Sequence, residues 1–138
     1  MRLLAAHDRS RAELSARLSA AGHPEPELRA ALGRLAELGY LDDARLAAAE
    51  VARFRGRLGP AGAEAKLLGR GLSPELAKGA AEALRAGEAS AARALCAERY
   101  GAPPFEPKVL ARAARFLAGR GFSAEVVEAL LPRDDDVR

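Results

Sequence analysis

The sequence predicts an all-α protein, three tandem three-helix repeats stacked into an elongated, curved body, and three observations predict it. The first is composition: Ala, Leu, Arg and Glu dominate the 138 residues, the chain is 49% hydrophobic but only 4% aromatic, and Ile, Thr, Asn, Gln and Trp are absent. These are strong helix formers, and the β-branched residues that favour strands are reduced to a few Val. The second is an internal repeat. Leu18-Ser19-Ala20-Ala21-Gly22-His23-Pro24-Glu25 recurs as Leu67-Leu68-Gly69-Arg70-Gly71-Leu72-Ser73-Pro74-Glu75 and as Leu117-Ala118-Gly119-Arg120-Gly121-Phe122-Ser123-Ala124-Glu125, with the central glycines 49 and 50 residues apart. The third is what surrounds each glycine: a left-handed residue suited to close one helix, then a Ser or Pro suited to open the next.

Taken in order, the first expected helix is a stub over Met1 to His7. Ser10-Arg11-Ala12-Glu13 is a capping box, so a second helix starts near Arg11, with Leu14, Leu18 and Ala21 on one face. After Gly22, His23-Pro24 opens a helix whose Leu28, Ala31, Leu32 and Leu35 have amphipathic spacing. Gly39 ends it. Asp42 or Asp43 caps the next, whose inward face reads Ala47, Val51, Phe54 and whose outward face reads Glu50, Arg53, Arg57. Gly59-Pro60 opens another and Ser73-Pro74 the one after it. Glu88 to Tyr100 reads as a helix, Pro107 starts one with the stripe Leu110, Ala113, Leu117, and Ser123 starts the last, which Pro132 stops. Nine helices result. They group as repeats over 1–39, 40–86 and 87–131, followed by an acidic C-terminal tail over 132–138 that contains Asp134-Asp135-Asp136. Tyr40 and Phe54 are expected to pack at the repeat interface.

The inventory for catalysis is thin. His7 and His23 lack partners at metal-ligand spacing, Cys96 reads as a buried small thiol, and Gly56, Gly59 and Gly62 lack the Lys-Ser/Thr that completes a phosphate loop. No catalytic, metal or cofactor site is expected, and the chain reads as a non-enzyme. The lone cysteine, the lack of a secretory h-region and the charges that interrupt every apolar run point to a soluble, cytoplasmic protein with no membrane partner; a monomer with no small-molecule substrate is expected.

Charge carries more information. The net charge is +3 and the pI about 9.5, too small an excess to coat nucleic acid. Two windows stand out. Arg53, Arg55, Arg57, Lys66 and Arg70 are accompanied in sequence only by Glu64; Arg93, Arg99, Lys108, Arg112, Arg115 and Arg120 only by Glu98 and Glu106. Arg53 with Arg57, Lys66 with Arg70, and Arg112 with Arg115 have the spacing that presents paired cations on one helix face. The candidate partner- or DNA-binding residues are therefore Arg53, Arg55, Arg57, Lys66, Arg70, Arg112 and Arg115. A helix-turn-helix DNA-binding module is the alternative; the absence of Asn and Gln leaves it few side chains for reading base edges.

Gly39-Tyr40-Leu41-Asp42-Asp43-Ala44-Arg45, and further on Arg53-Phe54-Arg55-Gly56-Arg57-Leu58-Gly59-Pro60, resemble the RecX family. Ser10 to Leu14 and Phe116 to Ser123 also look like the family's, so the resemblance spans about residues 1–131. The chain departs from it at Ala61-Gly62-Ala63, where a basic residue is usual, and at Leu46, where Phe is common. The resemblance implies a three-repeat helical protein that binds the RecA–DNA filament and inhibits RecA ATPase and strand exchange, in some members with direct DNA contact to single or double strands.

Overall fold

The computed structural model describes residues 9–132, and within them the protein is all-helical. The helices are α1 (Arg11–Ala20), α2 (Glu25–Glu37), α3 (Asp43–Phe54), α4 (Pro60–Gly69), α5 (Pro74–Ala81) with a 3-10 turn at Glu82–Leu84, α6 (Glu88–Tyr100), α7 (Pro107–Gly119) and α8 (Ala124–Leu130). The expected stub over Met1 to His7 and the Asp134–Asp136 tail lie outside the described residues.

Local chemistry accounts for the helix starts. Ser10, Ser73 and Ser123 each accept a backbone N–H from the third residue of the following helix, and Ser10 and Glu13 complete a reciprocal capping box. Pro sits in the first turn of α2, α4, α5 and α7, where its missing N–H costs nothing. Gly22, Gly71 and Gly121 have φ of 94°, 83° and 84°, the left-handed geometry that lets the chain leave one helix and enter the next within a few residues.

Packing divides the helices into three units in tandem. In the first, Leu28, Leu32 and Leu41 form a buried cluster covered by Leu14, Leu18 and Leu35 of α1 and α2. In the second, α3, α4 and α5 bury Leu46, Ala47, Val51, Ala63, Leu67, Leu72, Ala77, Ala81 and Leu84 together. In the third, α6, α7 and α8 bury Ala92, Cys96, Ala113, Leu117, Phe122, Val127 and Leu131. No buried residue belongs to two clusters among those described, so each unit closes its own core.

Some expected faces are corrected. Ala21 and Ala31 are exposed, because α1 and α2 meet only along their leucines and the alanine flanks stay outside. Helix α3 stops at Phe54, with Gly56 at φ 82°, so Arg57 lies in the turn beyond it and shares no helix face with Arg53. Phe54 packs on the core of the second unit, while Tyr40 is half-buried in the α2–α3 link.

Candidate partner-binding surface

The candidate cations divide into two groups. Arg55, Arg57, Lys66, Arg112 and Arg115 are exposed, and among the described residues none forms an ion pair. Arg53 and Arg70 are engaged within the molecule. The Arg70 guanidinium donates from Nε and Nη2 to both carboxylate oxygens of Glu13, at 2.9 and 2.8 Å, and its Nη1 lies 3.3 Å from Glu50. Arg53 Nη1 donates to the same Glu50 oxygen at 2.9 Å. The Arg70 and Glu50 side chains are only 26% and 12% exposed, so Arg70 is no outward pair with Lys66, whereas Arg53, 73% exposed, stays on the surface. The Arg70 hydrogen bonds hold the Glu13 carboxyl below its usual range, against the opposing effect of burial.

The third unit presents the broader basic surface. On α7, Lys108, Arg112 and Arg115 follow four- and three-residue steps along the side opposite Ala113 and Leu117, which are fully buried. Phe116, beside them and half-buried, has two guanidiniums close to its ring: Arg99 from the end of α6 at 4.6 Å from the centroid and Arg120 from the end of α7 at 5.1 Å. Tyr100 meets Phe116 edge-on at 6.0 Å. Cation–π contact orients these guanidiniums without neutralising them, so Arg99 and Arg120 keep donors and full charge for an anionic partner.

The Gly39 to Pro60 motifs have architectural roles. Leu41 is buried in the first unit's core. Asp42 caps α3 by accepting from Arg45 N–H at 3.1 Å. Asp43 caps a different helix: its Oδ1 accepts the Arg11 N–H at the start of α1, 2.9 Å away. Gly59 N–H and Ala61 N–H donate to the carbonyls of Arg120 and Gly121 at 2.9 and 3.2 Å, with Pro60 buried between them. Gly59 and Gly62 thus serve close backbone packing. Glu88, 4% exposed, has no local sequence signal to mark it; its carboxylate accepts the Ser123 N–H at 2.6 Å and ties α6 to the start of α8. Cys96 is buried, which pushes its thiol pKa up and away from thiolate chemistry. No His/Cys/Asp/Glu cluster able to hold a metal occurs among the described residues, and no helix there is long and apolar enough to cross a membrane.

A tandem of helical units, each with its own buried cluster and with cations on its surface that form no ion pair among the described residues, is a helical-repeat protein. Comparison with known proteins identifies which one. A family model described as the third three-helix domain of RecX matches residues 87–131. The chain is 38% identical over 131 residues to Regulatory protein RecX of Leptothrix cholodnii, covering 95% of this chain and 83% of that protein. It is 44% identical over 122 residues to Regulatory protein RecX of Thermus thermophilus, covering 88% and 80%. The crystal structure of RecX from Lactobacillus salivarius shares the fold, with a TM-score of 0.75 at 19% identity over 94% of this chain and 87% of that one. The chain belongs to the RecX family.

Proposed function

We propose that this protein is a non-enzymatic cytoplasmic regulator that binds the RecA–DNA filament and inhibits RecA ATPase and strand exchange, with repeats over 1–39, 40–86 and 87–131 acting together as the binding body. Membership of a family whose relatives are named regulatory proteins supports the role. The surface is supported by a single observation: the row Lys108, Arg112, Arg115 on α7, flanked by Arg99 and Arg120 and free of ion pairs among the described residues. Like charges gathered on one face raise affinity for an anionic partner, here acidic RecA patches or DNA phosphates. Arg55, Arg57 and Lys66 extend the same chemistry to the second unit. Arg53, 73% exposed, adds to it beside its pair with Glu50, while Arg70, held by Glu13 and Glu50, acts on the shape of the protein instead.

The test is RecA ATPase on single-stranded DNA with an Arg112→Glu/Arg115→Glu variant. Inhibition should weaken by about tenfold or more, since each arginine removed from an anionic partner costs on the order of 1 kcal/mol. Equal inhibition by variant and parent would remove α7 from the binding surface. Pull-down against RecA filaments, free RecA and free DNA separately assigns the partner, and binding should weaken as salt rises.

A further inference from the structure

The two joints between units occupy corresponding places but are built from different chemistry. At each, the start of a helix of one unit sits on the Arg-Gly turn of the next: α1 on Arg70-Gly71, and α4 on Arg120-Gly121. The 49-residue register matches Ser10 with Gly59, Arg11 with Pro60 and Glu13 with Gly62, while Arg70 matches Arg120. At the second joint the Arg120 and Gly121 carbonyls accept two backbone N–H groups, from Gly59 and Ala61. A Cβ on Gly62 would overlap the Arg120 carbonyl, so the two main chains are in direct contact there. At the first joint the Arg70 carbonyl accepts a side-chain hydroxyl, Ser10 Oγ at 2.5 Å. Around it lie the Glu13–Arg70–Glu50–Arg53 ion-pair chain and the Asp43 carboxylate on Arg11 N–H, with the Ala12 side chain packed on Gly71 where a Cβ would stand.

Each substitution in the register has a physical consequence. Gly62 cannot supply the carboxylate that Glu13 supplies, so Arg120 turns to the Phe116 ring while Arg70 closes an ion pair. Pro60 has no N–H to offer, and Glu88, the first residue of α6 as Asp43 is of α3 but outside this register, accepts the Ser123 N–H inside its own unit. Backbone hydrogen bonds between closely packed glycines are insensitive to ionic strength, whereas a part-exposed ion-pair chain is screened.

We propose that the joint between the first and second units is a polar latch, so that α1 and α2 swing as an arm while the second and third units move as one body. The latch sets the angle of the arm, which makes Glu13 and Arg70 positioning residues that need not touch a partner. Its chemistry belongs to the two joints alone and is independent of which partner is bound.

Hydrogen exchange on the full chain tests it. Raising salt to about 1 M, where the Debye length is near 3 Å, should speed exchange of the α1 and α2 amides while leaving α3 to α8 unchanged. Arg70→Ala should do the same at low salt, by about tenfold, the equivalent of one charge-assisted hydrogen bond. The charge swap Glu13→Arg/Arg70→Glu should restore part of the protection. Salt and Arg70→Ala effects spread evenly over all three units, or absent from α1 and α2, would overturn the latch. The unmutated salt series decides the matter if Arg70→Ala fails to fold.

Discussion

Glu13 performs two tasks with one carboxylate, capping α1 through the Ser10 N–H at 2.9 Å and holding Arg70 of the next unit. Its folded pKa is lowered from the carboxylate value of 4.5, first by the Arg70 hydrogen bonds. The unfolded chain therefore binds this proton at higher pH than the native protein does. The stability Glu13 contributes is present above about pH 4.5 and is lost as pH falls through its lower folded pKa. Denaturant midpoints followed from neutral pH downward should fall across that acid window, and Glu13→Gln should flatten the Glu13 part of the fall. An unchanged slope would separate Glu13 from the acid response. The glycines give a second prediction, in which neighbouring backbone reverses the ordinary sign. Gly79 lies in α5 with open space where a Cβ would stand, so Gly79→Ala should stabilise by up to about 1 kcal/mol. Gly62 lies in α4 against the Arg120 carbonyl, so Gly62→Ala should destabilise by about 2 kcal/mol or more despite the better helix propensity. Paired thermal melts of the two variants check the opposite signs.

Helix boundaries are the most legible feature of this chain because their signals are local. Ser10, Ser73 and Ser123 each cap the helix that follows, and Pro60 and Pro107 stand in first turns. Replacing Ser73 or Ser123 by Ala should cost about 1 kcal/mol apiece, read from chemical denaturation. His23-Pro24, by contrast, leaves α2 without a side-chain cap, so Pro24→Ser should stabilise its start. The surface is less legible. Periodicity places Arg112 and Arg115 outward correctly, since α7 runs uninterrupted beneath them, but it carries Arg57 along a helix that has already ended before Gly56. Spacing alone sets Arg70 outward with Lys66, because its partners Glu13 and Glu50 lie 57 and 20 positions away and no local pattern encodes them. Asp43 poses the same difficulty, its capping target being 32 residues upstream. The signal that could find these pairs is the repeat itself: aligning the copies sets Glu13 opposite Gly62 and shows that the two joints cannot share one chemistry.

At the scale of the molecule, the consequence of three separate cores is that stability adds along the chain as unit terms plus joint terms. The joints then decide how far a local defect spreads. Leu117 is fully buried in the third unit, and Leu117→Ala removes its packing at a cost of about 2–5 kcal/mol. That loss should appear first as lower amide protection in α6, α7 and α8. The Arg120-Gly121 turn that follows α7 carries the carbonyls on which Gly59 and Ala61 depend, so loosening α7 also releases the start of α4. Protection should therefore fall in the second unit too, by a smaller amount. The first unit has its own leucine cluster and meets its neighbour mainly through side chains, the Glu13–Arg70 pair, the Ser10 hydroxyl and Ala12, so α1 and α2 should change least. The ordering third, second, first is the prediction, measured by hydrogen exchange under native conditions. Loss of protection confined to the third unit would show that the glycine joint transmits nothing, and equal loss everywhere would show a single cooperative core in place of three.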